Sequence, residues 1–202
     1  MLRSSNPVAF VQFTKNWGNS AMTTETDLPT LASLEDFPFI DEHGQLPEDF
    51  QGKIGVYAIF DCAKVLQFVG YSRDVYLSLK QHLVRQPQQC HWVKVQTIER
   101  PSRTILENIE NAWMTENGSV PLGNGDHKAK WTQPIDVKVL MTPEEEANFH
   151  SPQIDEMTQM KILKNVARRV EAEIMVVLAN RGLQMQVRFN PKLKDEGLLD
   201  LK

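Results

Sequence analysis

Between residues 57 and 116 the chain carries a phenol, a guanidinium, an imidazole and a carboxylate at Tyr57, Arg73, His82 and Glu116. These are the groups that move protons and hold phosphate or a divalent cation. Tyr57 closes the string Gly55-Val56-Tyr57. A phenol with a pKa near ~10 needs a cation beside it to act as a base at neutral pH; otherwise Tyr57 is a core residue with its hydroxyl at the rim. Arg73 stands three residues after Gly70 at an expected helix start, where a guanidinium either contacts phosphate or is simply solvated. His82 falls near the end of the same helix, where an imidazole is also a partner for the helix dipole. Glu116 shares a line with Ile105, Ile109 and Ala112 at i, i+4, i+7 and i+11, so its carboxylate is expected on the inward stripe of a helix. Its other reading is a frayed helix-end glutamate. Cys90 lies beside His91, which makes it either a redox-responsive thiol or an inert one.

These side chains need a scaffold. Residues 54–60 and 65–69 are rich in β-branched and aromatic types and flank Asp61-Cys62-Ala63-Lys64, the pattern of a hairpin. Ser72 or Asp74 can cap a helix with Val75, Leu79 and Leu83 on one stripe. A third strand is expected over 92–98. A second helix opens at Pro101-Ser102 and stops at Asn117-Gly118. A loop over 120–131 leads to an expected fourth strand over 135–140. Pro143-Glu144-Glu145-Glu146 reads as a solvated charge run in preference to a helix start. A long amphipathic helix spans 153–180, with Leu163, Val166, Val170, Ile174 and Val177 three or four residues apart. Leu183, Met185, Val187 and Phe189 then alternate with polar residues, as in a half-buried strand.

The 202 residues carry a net charge of −4, a pI near 5.8, 41% hydrophobic and 24% charged residues. That balance suits a globular domain and argues against wrapping nucleic acid by bulk charge. Residues 22–52 hold eight acids and no Lys or Arg, whereas 1–21 hold Arg3 and Lys15 and no acid. The first segment reads as a leader with Met22 an internal start, or as an arm; the second as an extended lead-in pinned by Leu31, Leu34, Phe37, Phe39 and Ile40. Residues 160–202 carry nine Lys or Arg against five acids. Lys161, Lys164, Arg168 and Arg169 there form a phosphate-facing strip or, by preference, the solvated face of a helix. Two cysteines, Cys62 and Cys90, make no disulfide framework and no zinc-ligand spacing. No apolar run is long enough to span a bilayer. A reducing, cytoplasmic location is the expectation.

Gly55-Val56-Tyr57 and, thirteen residues after its glycine, Phe68-Val69-Gly70 resemble the paired signature of the GIY-YIG nuclease family. So do the helix start after Gly70, His82-Leu83 at that helix's end, and Pro121-Leu122-Gly123-Asn124, so that the resemblance covers 53–124. The run from Leu66 to Asp74 is most similar to one branch of that family, the N-terminal domain fused to plant chloroplast monothiol glutaredoxins and its stand-alone relatives in photosynthetic microbes. The chain has no Cys-Gly-Phe-Ser motif. The resemblance implies a metal-dependent phosphodiester-cleaving site. Tyr57 would be the base or relay, Arg73 and His82 phosphate contacts, and Glu116 the ligand of Mg²⁺ or Mn²⁺, with Glu107 and Glu110 as alternatives. One carboxylate plus waters and phosphate suits magnesium. Phe68 replaces the second tyrosine of the pair, and Ser78 stands where the family places an arginine. Losing such a clamp costs ~10²–10³ in rate.

The expected fold is α+β: a small antiparallel sheet flanked by helices over 53–142, preceded by the leader and acidic lead-in at 1–52. A helix-strand extension over 143–202 packs on the core. Two functions compete. One is a divalent-metal-dependent DNA endonuclease; the other is a binding or assembly module on a degenerate nuclease scaffold. Nucleic acid and protein are the partner classes, and no small-molecule cofactor is evident. Redox response at Cys90 is a rider on either.

Overall fold

The computed structural model describes residues 28–202; the segment 1–21 and the break at Met22 lie outside the described residues. Phe37–Pro38 (β1), Ile54–Phe60 (β2), Leu66–Ser72 (β3) and Trp92–Ile98 (β4) form one antiparallel sheet in the order β1-β4-β2-β3. The helices that follow are Val75–Arg85 (α1), Arg103–Glu116 (α2) and Lys128–Thr132 (α3). Beyond them come the strand Ile135–Asp136 (β5), the helices Pro143–Phe149 (α4), Glu156–Asn180 (α5) and Pro191–Asp195 (α6), and the strand Leu198–Leu199 (β6), which pairs with β5. The fold is α+β, as the sequence implies. None of the described helices is long and apolar enough to cross a membrane.

The central strand β2 is apolar along its length because both sheet faces are covered. Val56 and Ala58 meet Leu106, Ile109 and Trp113 of α2 on one face. Tyr57 and Ile59 meet Leu79 and Leu83 of α1 and Val166 and Val170 of α5 on the other. The pairing slips between Ile59 and Phe60, so that Ile59 faces Phe68 while Phe60 faces Leu66. Gln67 is the extra residue of this bulge. It lets Leu66 and Phe68, two apart in sequence, point to opposite faces.

The lead-in is pinned by more than apolar contact. Phe39, Leu46 and Phe50 are buried in the same cluster as Tyr57 and α5. Leu31 packs with α2 on the opposite face. The Trp113 indole donates to the Pro29 carbonyl at 2.9 Å, and Lys94 reaches the Leu31 carbonyl at 3.1 Å.

Three sequence expectations are corrected. The strand expected over 135–140 stops after Asp136, whose side chain accepts from the Lys138 amide at 2.9 Å and turns the chain into a 3-10 helix, Val137–Leu140. The alternation over 183–189 is real in burial but is not a strand. The Gln184 amide bonds the Gly44 carbonyl at 2.9 Å, and only Phe189 makes a bridge, to Leu201. The acidic run at Pro143 is a helix after all, begun by a capping box in which Thr142 and Glu145 each accept from the other's backbone amide. Glu145 also holds Arg169 at 2.7 Å.

Candidate active site

Tyr57 sits at the centre of the sheet, opposite Gly70 of β3 and Val95 of β4. A Cβ on Gly70 would lie 2.6 Å from the Phe68 ring and 3.1 Å from the Tyr57 hydroxyl oxygen. Only glycine therefore lets both rings lie across β3. His82 comes from α1, which starts where the Asp74 carboxylate accepts from the Leu77 amide at 3.1 Å. Its Nε2 is 2.9 Å from the Tyr57 hydroxyl, and its Nδ1 is buried with no hydrogen-bond partner. Phe68 is stacked on Trp131 with centroids 5.2 Å apart and lies 4.7 Å from the imidazole. Phe68 thus supplies packing around His82.

Burial lowers the His82 pKa to about 3, the Arg85 charge pushes the same way, and the Trp131 carbonyl opposes both. Burial raises the Tyr57 pKa well above the usual phenol, against a lowering hydrogen bond from Ser78. At neutral pH the two rings are uncharged and share one proton between oxygen and nitrogen.

The pair opens on a cleft of about 360 Å³ whose lining includes Ser78, Arg85, Glu110 and Lys128. Glu110 is its one carboxylate. Burial raises the Glu110 pKa, Lys128 lowers it and Glu107 raises it. Arg85 arrives from the last turn of α1. Its guanidinium donates to the Trp131 carbonyl at 2.9 Å and to Asp200 at 2.7 Å, while its Nε is buried without a partner. Asn124 closes one wall. Its side chain accepts from the Val69 amide at 2.8 Å and donates to the Val69 carbonyl at 2.6 Å, completing the free edge of β3 as another strand would.

The structure brings Tyr57 and His82 together and separates them from the other two expected residues. The expectation that Glu116 faces this cleft is not met. Its two oxygens accept from the Leu31 and Ala32 amides at 2.6 and 2.8 Å, capping a 3-10 turn of the lead-in. The buried stripe of α2 is Leu106, Ile109 and Trp113, with Ile105 39% exposed. The stripe is thus rotated from the line that placed Glu116, and the rotation sets Glu110 at the cleft. Arg73 is exposed and lines a neighbouring cleft of about 570 Å³ together with Arg103.

Cys90 is fully buried, and burial raises its thiol pKa far above the usual range. It has neither the exposure nor the thiolate character of a redox-responsive cysteine; Cys62 is exposed in the hairpin turn. Sequence reasoning missed Arg85 and Lys128 and set Glu110 aside. The signals were present: Arg85 is three residues from His82, hence on one helix face, and Glu110 is three residues before the fully buried Trp113. Among the described residues no three His, Cys, Asp or Glu converge as a metal cage.

No protein-family model matches the chain. Among curated proteins it is similar to the bifunctional monothiol glutaredoxin-S16, chloroplastic, of Arabidopsis thaliana, with 40% identity over 74 residues. The match takes in 35% of this chain and spans about a quarter, 25%, of that relative.

Proposed function

We propose that the protein is a divalent-metal-dependent nuclease of GIY-YIG type that hydrolyses phosphodiester bonds at the Tyr57–His82 cleft. The observation that carries this reading is the convergence of a phenol–imidazole pair at 2.9 Å with one carboxylate and two cations on a single cleft. The likeness to part of a chloroplast glutaredoxin supports a shared module but says nothing of cleavage.

The residues fit a hydrated divalent cation. Glu110 supplies one carboxylate whose proton affinity burial raises more than Lys128 lowers it, and such a half-buried acidic oxygen suits a hard divalent cation. Mg²⁺ or Mn²⁺ held there, with water and phosphate oxygens as further ligands, would supply positive charge to the scissile phosphate and acidify a bound water. Tyr57 is placed to take a proton from the attacking water while its own proton passes to His82 Nε2. Burial is the main cause of the neutral His82 and the Arg85 charge the second; a bound phosphate would offset the Arg85 part and raise the proton affinity of the imidazole when substrate is present. The Arg85 guanidinium lines the same cleft and adds positive charge to it. Lys128 adds charge, and together they stand in for the arginine that Ser78 replaces.

A second reading is a binding module without cleavage. It is favoured by the ion pair between Arg85 and Asp200, which uses part of the charge a transition state needs. Plasmid nicking separates the two. With Mg²⁺ or Mn²⁺ the wild-type protein should nick, Glu110→Gln and Tyr57→Phe should lose at least ~10² in rate, and Glu116→Gln should nick normally. Protein that never nicks with either metal leaves the binding module. Full loss in Glu116→Gln would return the metal to that residue. The free Cys62 and Cys90 suit a reducing compartment, whether the cytoplasm or, as the relative's name has it for that protein, the chloroplast.

A further inference from the structure

Three neighbouring clefts follow one another along one side, each sharing a lining residue with the next. The candidate active cleft shares Gln81 with a cleft of about 310 Å³ lined by Lys80, Arg188 and Lys202. It shares Tyr71 with the cleft of about 570 Å³ lined by Arg73 and Arg103. Along this row of clefts seven Lys or Arg side chains face one lining carboxylate, Glu110, in a chain whose net charge is −4. Among the described residues, Lys80, Lys128, Arg73, Arg188 and Lys202 take part in no ion pair. By contrast Lys64, Lys94, Lys164, Arg169 and Lys194, on other surfaces, are each held by a carboxylate. Eight further Lys or Arg, Lys161 and Lys192 among them, also take part in no ion pair among the described residues but line none of the three clefts. What sets this side apart is that its clefts gather seven cations around one lining carboxylate. Desolvated clefts rimmed by unpaired cations attract polyanions more than scattered surface lysines do.

We propose that this row of clefts is a track for the phosphodiester backbone of a nucleic-acid strand, several nucleotides long, with the scissile phosphate at the Tyr57–His82 cleft. The C-terminal segment supplies one end through Arg188 and Lys202, and the starts of α1 and α2 supply the other through Arg73 and Arg103. The occupant is a strand, not a mononucleotide, because the free cations occupy three neighbouring clefts and a single phosphate fills one. Tyr71, exposed at the junction and bonded to Glu107 at 3.3 Å, offers a ring on which a base can stack. The C-terminal segment, which carries no strand over 183–189, thereby gains a task in substrate binding.

This inference rests on the phosphodiesterase reading, and binding without cleavage keeps the two apart. Fluorescence anisotropy in EDTA, with labelled duplex DNA, single-stranded DNA and a hairpin RNA, measures affinity against salt. The wild type should bind at least one of these with a log–log salt slope of magnitude above ~3, since each phosphate contact contributes about −0.7 to −0.9. Lys80→Ala/Arg188→Ala/Lys202→Ala and, separately, Arg73→Ala/Arg103→Ala should each flatten the slope by about 2 units with unchanged thermal melting. A pair on the remote surface, Lys161→Ala/Lys192→Ala, should leave it within error. Equal weakening by the remote pair, unaltered slopes in both track variants, or equal binding of polyglutamate would overturn the proposal. Binding with these slopes but no nicking supports the track and removes the catalytic reading. Nicking with slopes that no variant alters does the reverse.

Discussion

Burial keeps Tyr57 and His82 uncharged, and for His82 that has a measurable cost at acid pH. The folded imidazole has its pKa near 3 against an ordinary 6.5. Above pH 6.5 neither state is protonated and stability is unaffected. Below it the unfolded chain takes a proton that the folded chain refuses, so stability falls as pH drops from 6.5 towards 3, by up to about 1.4 kcal/mol per pH unit. Urea melts at pH 7, 6, 5 and 4 should show this decline, and His82→Gln should remove its His-specific part whatever it does to stability at pH 7. A variant with the same slope as wild type would mean that the ring is more open to water than its burial indicates. At this scale the sequence was partly legible. Tyr57 and His82 were readable as candidates from the string Gly55-Val56-Tyr57 and from the last turn of the helix after Gly70, although Tyr57 lies in the middle of β2. Glu110 was not, because Ile105 and Ala112 are apolar enough to suggest a stripe that the much larger Trp113 overrules. Packing volume decided which helix face turned inward, and periodicity alone carries no volume.

At the scale of elements, α2 does two things with two carboxylates. Glu110 faces the cleft, whereas Glu116 fastens the lead-in by accepting two amides at once. The second arrangement works like a helix cap supplied from another part of the chain. Glu116→Gln should therefore lower global stability by only about 1 kcal/mol. It should also speed hydrogen exchange at Leu31 and Ala32 while exchange at Val56 and Val69 stays slow. Equal acceleration at all four would show that the lead-in and the sheet open as one unit. The three main strands and α1, α2 and α5 follow from patterns in the sequence because each has a cap, a stop or an unbroken stripe. The pieces that did not follow are those in which alternation lacked a partner. Residues 183–189 keep their in-and-out burial but find backbone partners only at their ends, Leu178 and Gly44 at one and Lys202 at the other, and the strand after Ile135 ends on an aspartate that accepts from the Lys138 amide. Pairing is a non-local property, so alternation predicts which side chains are buried and leaves hydrogen bonds open. The bulge at Gln67 is a further case: nothing in the string Leu66-Gln67-Phe68 says that its two apolar residues part company.

Across the whole molecule, the last turn of α1 and the chain's final residues are tied by Arg85 and Asp200, whose side chains are 8% and 11% exposed. Removing one partner of such a pair leaves the other charged and poorly hydrated. Asp200→Ala should cost about 3–5 kcal/mol, read as a lower urea midpoint. Asp200→Asn, which keeps an acceptor oxygen, should cost less. If Asp200→Ala melts like wild type, the C-terminal segment is not part of the cooperative core. The sheet itself is finished at both sides. β1 is two residues long and ends in Pro38, which has no amide to donate. On the far side, the Gly123 amide takes the Gln67 carbonyl and the Asn124 side chain takes both backbone groups of Val69. Asn124 thus acts as a stopper as well as a wall. With the Gly123 amide it ends the ladder where a stray strand from an unfolded neighbour would otherwise dock, so this edge of a sheet with so apolar a central strand is guarded against edge-to-edge aggregation by two consecutive residues of one loop.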